Sequence, residues 1–206
     1  MTPLSQLGVR APELAKDSQC AVDRSNRLVC AGGEERAGTR IVKTKLLTFS
    51  TAEGFAESTS IFQVRGQDHA CGRTRAGKVL CFRLSSQSVA KVPSPTVDAL
   101  SDIIQVDGGG VGDYGIACAL AKNGRVSCWG NGRWGQLGKV PPVEPFEAVS
   151  IAELPPVTRL AVGGMFVCAL TRAGEVYCWG SNRSGTAPDG QRGERQEAIP
   201  IVLPQR

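Results

Sequence analysis

The chemically most versatile residues in this sequence are eight cysteines that form four regularly spaced pairs. The pairs are Cys20 with Cys30, Cys71 with Cys81, Cys118 with Cys128, and Cys168 with Cys178, each ten positions apart. This regularity favours a disulfide within each pair, and the alternative is reduced, buried cysteines that pack as small apolar side chains. Zinc is disfavoured because the spacing is too wide for a ligand knuckle and His69 is the only histidine.

His69 is the one histidine that could act as a general base. A general base needs a nucleophile and an orienting partner within hydrogen-bonding reach. The neighbouring Asp68 points to the opposite face if the segment is a strand. We therefore expect His69 to form a structural hydrogen bond between strands. We also predict that the chain is not an enzyme, with no catalytic residue, metal or cofactor.

Residues 110–115 have the glycine spacing of a dinucleotide-binding loop. Such a loop must be followed by a helix that presents its N terminus to pyrophosphate. The residues that follow, 116–120, are instead an apolar run that belongs to the third cysteine-paired segment. We therefore interpret residues 110–115 as a glycine-rich turn between strands.

The ten-residue spacing predicts a β-hairpin between the two cysteines of each pair. In the third pair, Cys118 faces Cys128, Leu120 faces Val126, and residues 122–124 form the loop. The third residue of such a loop adopts the left-handed conformation, which Gly and Asn tolerate best. The residues at this position are Asn26, Gly77, Gly124 and Gly174. The first cysteines recur after 51, 47 and 50 residues, so the hairpins belong to a repeat architecture.

Composition favours an all-β protein that does not bind nucleic acid and has no membrane-spanning segment. Twenty-five glycines and twelve prolines in 206 residues indicate many short strands, with short helices only at 13–16 and 51–57. The net charge of +5 comes from scattered residues that form no phosphate-binding stripe. No apolar run approaches the roughly 20 residues that cross a bilayer, and residues 1–10 lack a secretory signal pattern. The paired cysteines nevertheless favour an oxidising compartment, extracellular or in the cell envelope.

The segments that flank the hairpins share a motif. Its clearest copies are Cys-Trp-Gly-Asn-Gly-Arg-Trp-Gly-Gln-Leu-Gly at 128–138 and Cys-Trp-Gly-Ser-Asn at 178–182, and an apolar strand ending in glycines at 160–164 precedes the fourth hairpin. These segments resemble the regulator of chromosome condensation repeat, especially the bacterial form with paired cysteines. The resemblance is weaker in the first half, where Ala31 and Phe82 replace the expected tryptophan.

The resemblance implies a β-propeller of four-stranded blades, usually seven of them, around a central channel. The chain supplies four blades of about 50 residues in one repeat domain: 1–54, 55–100, 101–154 and 155–206. We expect Trp129, Trp179 and Phe82 to pack between blades. Four blades that do not close into a circle would leave the outer faces of the first and last blades without a neighbouring blade. We therefore expect a longer propeller, a self-association that closes the circle, or a tight four-bladed ring.

The leading functional prediction is a protein-binding scaffold whose partner contacts the blade-end loops, because these loops vary far more between repeats than the strands do. Arg133 and Trp134 are the predicted contacts, since Arg and Trp are common interface anchors; a purely structural role for Trp134 in its loop is the alternative. The other candidates are a structural segment of a larger secreted or envelope protein and, less favoured, a regulator of nucleotide exchange on a small GTPase. The family resemblance offers nucleotide exchange and β-lactamase inhibition as precedents.

Overall fold

The computed structural model describes residues 20–37, 40–49, 54–58, 62–64, 67–84, 89–110, 115–138, 144–183 and 193–201. These residues form antiparallel sheets with one short helix, which confirms the predicted all-β class. No helix within these ranges is long and apolar enough to cross a membrane.

Four sheets follow one another along the described parts of the chain. The first contains β1 (Cys20–Val22), β2 (Leu28–Ala37) and β3 (Arg40–Phe49). The second contains β4 (Phe55–Ser58), β5 (Phe62–Val64), β6 (Gln67–Thr74), β7 (Val79–Leu84) and β8 (Val89–Lys91). The third contains β9 (Ile103–Gly109), β10 (Ile116–Ala121), β11 (Val126–Gly130) and β12 (Val149–Ser150). The fourth contains β13 (Val157–Val162), β14 (Phe166–Thr171), β15 (Val176–Ser181) and β16 (Glu194–Ile201). We call these sheets blades 1 to 4.

The described helix, α1 (Pro95–Asp98), lies where the sequence pattern indicates none. It begins with a proline, and the Ser94 hydroxyl caps its N terminus by accepting a hydrogen bond from the Val97 N–H at 3.2 Å. Neighbouring residues therefore stabilise this short helix. The helix expected over 51–57 is wrong where the structure describes it, because β4 begins at Phe55. The Phe55 N–H donates to the carbonyl of Asn26 at 2.7 Å, so docking on blade 1 overrides the weak local helix signal. The helix expected at 13–16 lies outside the described residues.

The predicted hairpin register is confirmed. Cys118 pairs with Cys128 and Leu120 with Val126. The loop is closed by a hydrogen bond of 2.9 Å from the Ala121 N–H to the carbonyl of Arg125. The third loop residue has positive φ in every copy: Asn26 (57°), Gly77 (75°), Gly124 (89°) and Gly174 (86°).

Three cysteine pairs have their sulfur atoms at disulfide distance across neighbouring strands. The Sγ–Sγ distances are 2.01 Å for Cys71–Cys81, 2.14 Å for Cys118–Cys128 and 2.10 Å for Cys168–Cys178. Cys20 pairs with Cys30 in backbone register, and their side chains lie outside the described part of the structure.

The core lies between successive blades, where the cysteine-bearing face of one blade packs on the tryptophan-bearing face of the next. One cluster joins blades 2 and 3 through Cys71, Val79, Cys81, Ala117, Ala119 and Trp129. A second joins blades 3 and 4 through Cys118, Leu120, Val126, Val167, Ala169 and Trp179. Trp129 and Trp179 are fully buried, as predicted. Phe82 is half-buried and packs edge-to-face on Phe55 of β4, with ring centroids 6.2 Å apart. Its packing against blade 1 stays a prediction, because most side chains of β2 and β3 lie outside the described part of the structure.

The edge strand of blade 4 forms hydrogen bonds with side chains of blade 3. The Gln105 amide donates to the Leu160 carbonyl at 2.8 Å and accepts from the Leu160 N–H at 2.9 Å. One carboxylate oxygen of Asp107 accepts from the Val162 N–H at 2.9 Å, and the other accepts from the Gly108 N–H at 2.8 Å. Strand β13 therefore has partners along an edge that its own sheet leaves unpaired.

The structure predicts that the hairpin glycines differ in their tolerance of a side chain. A β-branched residue at positive φ costs roughly 1–3 kcal/mol, so Gly174→Val lowers the free energy of unfolding by about that amount. Gly124→Val lowers it further, because a Cβ there would lie 2.8 Å from the Pro156 Cα atom and 2.9 Å from the Val157 nitrogen. Urea denaturation measures both changes. Arg125→Val and Glu175→Val are the controls, and equal losses in all four variants would contradict the register.

Two carboxyl groups have opposite pKa shifts. Burial raises the pKa of Asp107, and the hydrogen bonds from Val162 and Gly108 only partly oppose it. Burial also raises the pKa of Asp23, but hydrogen bonds from Arg27 and from the Ser25 N–H outweigh it, so the pKa of Asp23 is lowered. Asp107 therefore contributes stability that is fully present below its pKa in the unfolded chain and is lost as pH rises through its pKa in the folded protein. Asp23 contributes stability that is present above its pKa in the unfolded chain and is lost as pH falls through its pKa in the folded protein.

These shifts predict opposite pH dependence for two variants. Between about pH 3 and pH 7, the free energy of unfolding of wild type relative to Asp107→Asn decreases as pH rises. The same difference relative to Asp23→Asn increases as pH rises. Urea titrations at a series of pH values measure both, and two curves with the same slope would contradict the assignment.

Candidate protein-binding site

The predicted contact residues Arg133 and Trp134 lie on the loop that connects β11 to β12 in blade 3. The structure brings a third residue to them, Arg183, which follows β15 in blade 4. We call these three residues the Arg-Trp-Arg cluster. It spans two neighbouring blades at the end opposite the Cys-paired hairpin turns.

The cluster is built on the indole of Trp134. The guanidinium carbon of Arg183 lies 3.9 Å from the ring centroid, and that of Arg133 lies 5.4 Å from it. Both distances are within the range of a cation–π interaction. Trp134 is half-buried, and both arginines are exposed. The surface therefore presents two cations whose positions a partly buried aromatic ring restricts.

A buried glutamine fixes the loop beneath the cluster. Gln136 is fully buried, and its side-chain oxygen accepts a hydrogen bond from the Trp134 N–H at 2.8 Å. Its backbone carbonyl accepts from the indole Nε1–H of Trp179 at 2.8 Å. Because Trp179 belongs to the core of blade 4, this bond ties the loop of blade 3 to the next blade.

The turn before Trp134 is set by Asn131. Its side-chain oxygen accepts from the Arg133 N–H at 2.8 Å, and its own N–H donates to the carbonyl of Gly115 at 2.8 Å. The backbone of Arg133 is thus held by an Asx-type turn on the end of the sheet. A rigid backbone under exposed side chains suits a preformed binding surface.

Arg183 was not among the predicted contacts, although the sequence contains a signal for it. Arg133 lies five residues after Cys128, and Arg183 lies five residues after Cys178. The two arginines therefore occupy the same position in successive repeats. Aligning the motif copies by their second cysteine would have identified the pair.

The structure places His69 away from this cluster. His69 is 3% exposed, and the centroid of its ring lies 4.7 Å from that of the Phe146 ring. It lines a cavity of about 560 Å³ with Arg83, Lys91 and Glu144 among its other walls. The side chain of Asp68 lies outside the described residues, as do residues 111–114 of the glycine-rich turn. Within the described ranges, no three His, Cys, Asp or Glu side chains come together as metal ligands.

The geometry predicts different roles for Gln136 and Trp134. Gln136→Ala lowers the free energy of unfolding by about 2–4 kcal/mol, because it opens a cavity and removes a buried acceptor. Trp134→Ala lowers it by less than half as much, because the ring is only half-buried and the loop keeps its Gln136 bond. Thermal and urea unfolding measure both variants. A larger loss for Trp134→Ala would make Trp134 a structural residue of the loop.

The comparisons with known proteins agree with this architecture. Residues 157–186 match the family model of the regulator of chromosome condensation (RCC1) repeat. The chain has no significant sequence match among curated proteins.

Solved structures share the fold at low sequence identity. Human WBSCR16 aligns with a TM-score of 0.64 and 16% identity over 89% of this chain and 49% of its own. Prp20p of Saccharomyces cerevisiae aligns with a TM-score of 0.57 and 16% identity over the same shares, 89% and 49%. Yeast RCC1 (Prp20), in its complex with Kap60, aligns with a TM-score of 0.52 and 10% identity over 89% and 59%.

This chain therefore spans about half the length of the first two propellers, at 49% of each. The identities are too low to carry over more than the fold. Residues 157–186 are thus similar to the RCC1 repeat, and the chain has the fold of the RCC1-type β-propeller proteins.

Proposed function

We propose that this chain is a non-enzymatic protein-binding scaffold that contacts its partner through blade-end loops. The observation that carries the proposal is the Arg-Trp-Arg cluster, in which two exposed guanidinium groups flank one half-buried indole. Arg and Trp are enriched among the residues that dominate binding energy in protein interfaces. The cluster combines both on a backbone that Gln136 and Asn131 hold in place.

The chemistry of the cluster favours an acidic partner surface. Each guanidinium carries a permanent charge and a planar set of donors that matches a carboxylate. The net charge of +5 on the whole chain adds to the attraction of an acidic protein at long range. We therefore expect Asp or Glu side chains of the partner to bind at Arg133 and Arg183.

Proteins with this fold supply a precedent for protein binding. The structure of yeast Prp20p was described together with its binding properties to Gsp1p and histones, and yeast RCC1 was solved bound to Kap60. These partners belong to those proteins, and the similarity to this chain concerns the fold. Exchange activity on a small GTPase thus has no support beyond the shared architecture.

The cysteine pairs support an extracellular or cell-envelope location for this scaffold. Three pairs lie at disulfide distance on adjacent strands, a geometry that is stable in an oxidising compartment. We therefore expect this scaffold to bind its partner outside the reducing cytosol.

The proposal predicts that reversing the charge of the cluster abolishes binding without unfolding the protein. The test variant is Arg133→Glu with Arg183→Glu. The matched control is Arg125→Glu with Arg172→Glu, which changes the net charge equally at two exposed positions on the hairpin turns. Tagged protein captures partners from the culture medium and envelope extract of the source cells, and mass spectrometry quantifies them.

We expect at least one protein captured by wild type and control to fall by about tenfold or more with the test variant, since one charge-assisted contact accounts for that ratio. The melting temperatures of the two double variants should agree. Equal capture by both double variants would overturn the proposal, because binding would then not depend on the cluster.

A further inference from the structure

The cavity beside His69 lies at the junction of two blades. Blade 2 contributes His69 of β6, Arg83 of β7 and the segment 91–96, and blade 3 contributes residues 144–147, which precede β12. The volume of about 560 Å³ lies in the range of small-molecule sites, roughly 300–1,000 Å³. We call this space the interblade cavity.

Side-chain hydrogen bonds hold the two walls of the interblade cavity together. The Phe146 carbonyl accepts from the hydroxyl groups of Ser94 and Thr96, and the Thr96 Oγ1 atom accepts from the Ala148 N–H at 2.8 Å. The rings of His69 and Phe146 also contact each other across the junction. The folded chain therefore forms the cavity before any ligand binds, which lowers the entropic cost of binding.

Much of the cavity lining is apolar. It includes the half-buried ring of Phe146 and the prolines Pro93, Pro95 and Pro145. An aromatic or branched side chain of a ligand can pack against such rings, and apolar walls with a few polar groups are typical of ligand sites. The cavity thus has room for the apolar body of a small molecule.

The charged residues of the lining are divided between the blades by sign. Blade 2 supplies the cations Arg83 and Lys91, and blade 3 supplies the carboxylates Glu144 and Glu147. Lys91 already has a partner, because its Nζ atom lies 2.9 Å from Oδ2 of Asp98. The two positive and two negative charges balance, so these four residues do not favour a ligand of a single sign.

Arg83 and Glu147 are the lining charges that remain available to a ligand. Both residues are exposed, and within the described ranges neither side chain has an ion-pair or hydrogen-bond partner. Arg83 lies directly opposite His69 across β6 and β7, so the two side chains share one face of the sheet. One guanidinium group and one carboxylate, from different blades, therefore accompany the apolar lining.

We propose that the interblade cavity binds a small zwitterion with an apolar body, namely an apolar amino acid or a short peptide. Arg83 binds the carboxylate of the ligand, for which the planar guanidinium is well matched, and Glu147 binds its ammonium group. Phe146 and the prolines pack against the apolar part. This inference goes beyond the proposed function and does not rest on it, because the Arg-Trp-Arg cluster lies between blades 3 and 4.

The first experiment titrates the isotope-labelled chain with four probes and follows chemical shifts by NMR. Phenylalanine carries both charges, N-acetylphenylalanine only the carboxylate, phenylalaninamide only the ammonium group, and N-acetylphenylalaninamide neither. We expect a dissociation constant for phenylalanine on the order of 1 mM, as ligand efficiency implies for a molecule of about a dozen non-hydrogen atoms. Loss of one charge should weaken binding by about three- to tenfold, the range from an exposed ion pair to a charge-assisted hydrogen bond.

A second set of probes distinguishes the two sources of this chemistry. The dipeptide phenylalanyl-glycine has its ammonium and carboxylate groups farther apart than phenylalanine, and the same caps remove either charge. Tighter binding of the dipeptide, with the same dependence on both charges, identifies a peptide ligand. Tighter binding of phenylalanine identifies an amino acid.

Two variants assign the charges to their residues. Arg83→Gln should weaken phenylalanine by about three- to tenfold and remove the difference between phenylalanine and phenylalaninamide, because the carboxylate then has no partner. Glu147→Gln should weaken it similarly and remove the difference between phenylalanine and N-acetylphenylalanine. Arg125→Gln and Glu175→Gln, at exposed positions on the hairpin turns, are the matched controls and should change neither comparison. Melting temperatures show that each variant folds.

Three results would overturn the proposal. The first is the absence of saturable binding of phenylalanine and phenylalanyl-glycine up to about 20 mM, which is far above the expected dissociation constant. The second is equal affinity for the zwitterionic and the neutral capped probes, since binding would then need no charged group. The third is loss of phenylalanine binding in the variant Arg133→Glu with Arg183→Glu, which would place the probe at the Arg-Trp-Arg cluster and not in the cavity.

Discussion

The hairpin turn is the constraint on which the rest of the structure depends. Its third residue must adopt positive φ, and the same backbone conformation directs its carbonyl toward the next blade, where Phe55, Ile103 and Val157 donate to it. One local geometry therefore sets the register within a blade and the position of the blade that follows. Because Asn26, Gly77 and Gly124 meet this demand without strain, the repeat can be stacked even where its sequence diverges.

Stacking of the blades explains where the polar groups of the edge strands find partners. In blades 3 and 4, Gln105 contributes both a donor and an acceptor to Leu160, in place of the neighbouring strand that β13 lacks. Asp107 contributes only an acceptor, which receives the Val162 N–H, and burial raises the pKa of this carboxyl group. Side chains thus replace part of a β-ladder and allow the edges of separate sheets to lie against each other without joining.

The Arg-Trp-Arg cluster depends on the same stacking. Arg183 contacts the Trp134 ring because blade 4 packs against blade 3. The hydrogen bond from the Trp179 indole to the Gln136 carbonyl joins these two blades beneath the cluster. A binding surface made from two blades is sensitive to their relative position, so the core contacts that fix the blades also shape the surface.

The elements whose geometry is local could be predicted from consecutive residues. The cysteine spacing predicted which residues face each other across the hairpins, and the position of Asn26, Gly77, Gly124 and Gly174 predicted the turns, because both depend on fewer than a dozen consecutive residues. The other features depend on contacts between blades. Residues 55–57 form a strand and not a helix, because Phe55 docks on blade 1. Arg183 joined Trp134, and Gln105 paired with Leu160, because blades about 50 residues apart in sequence pack side by side, and no local preference encodes that contact.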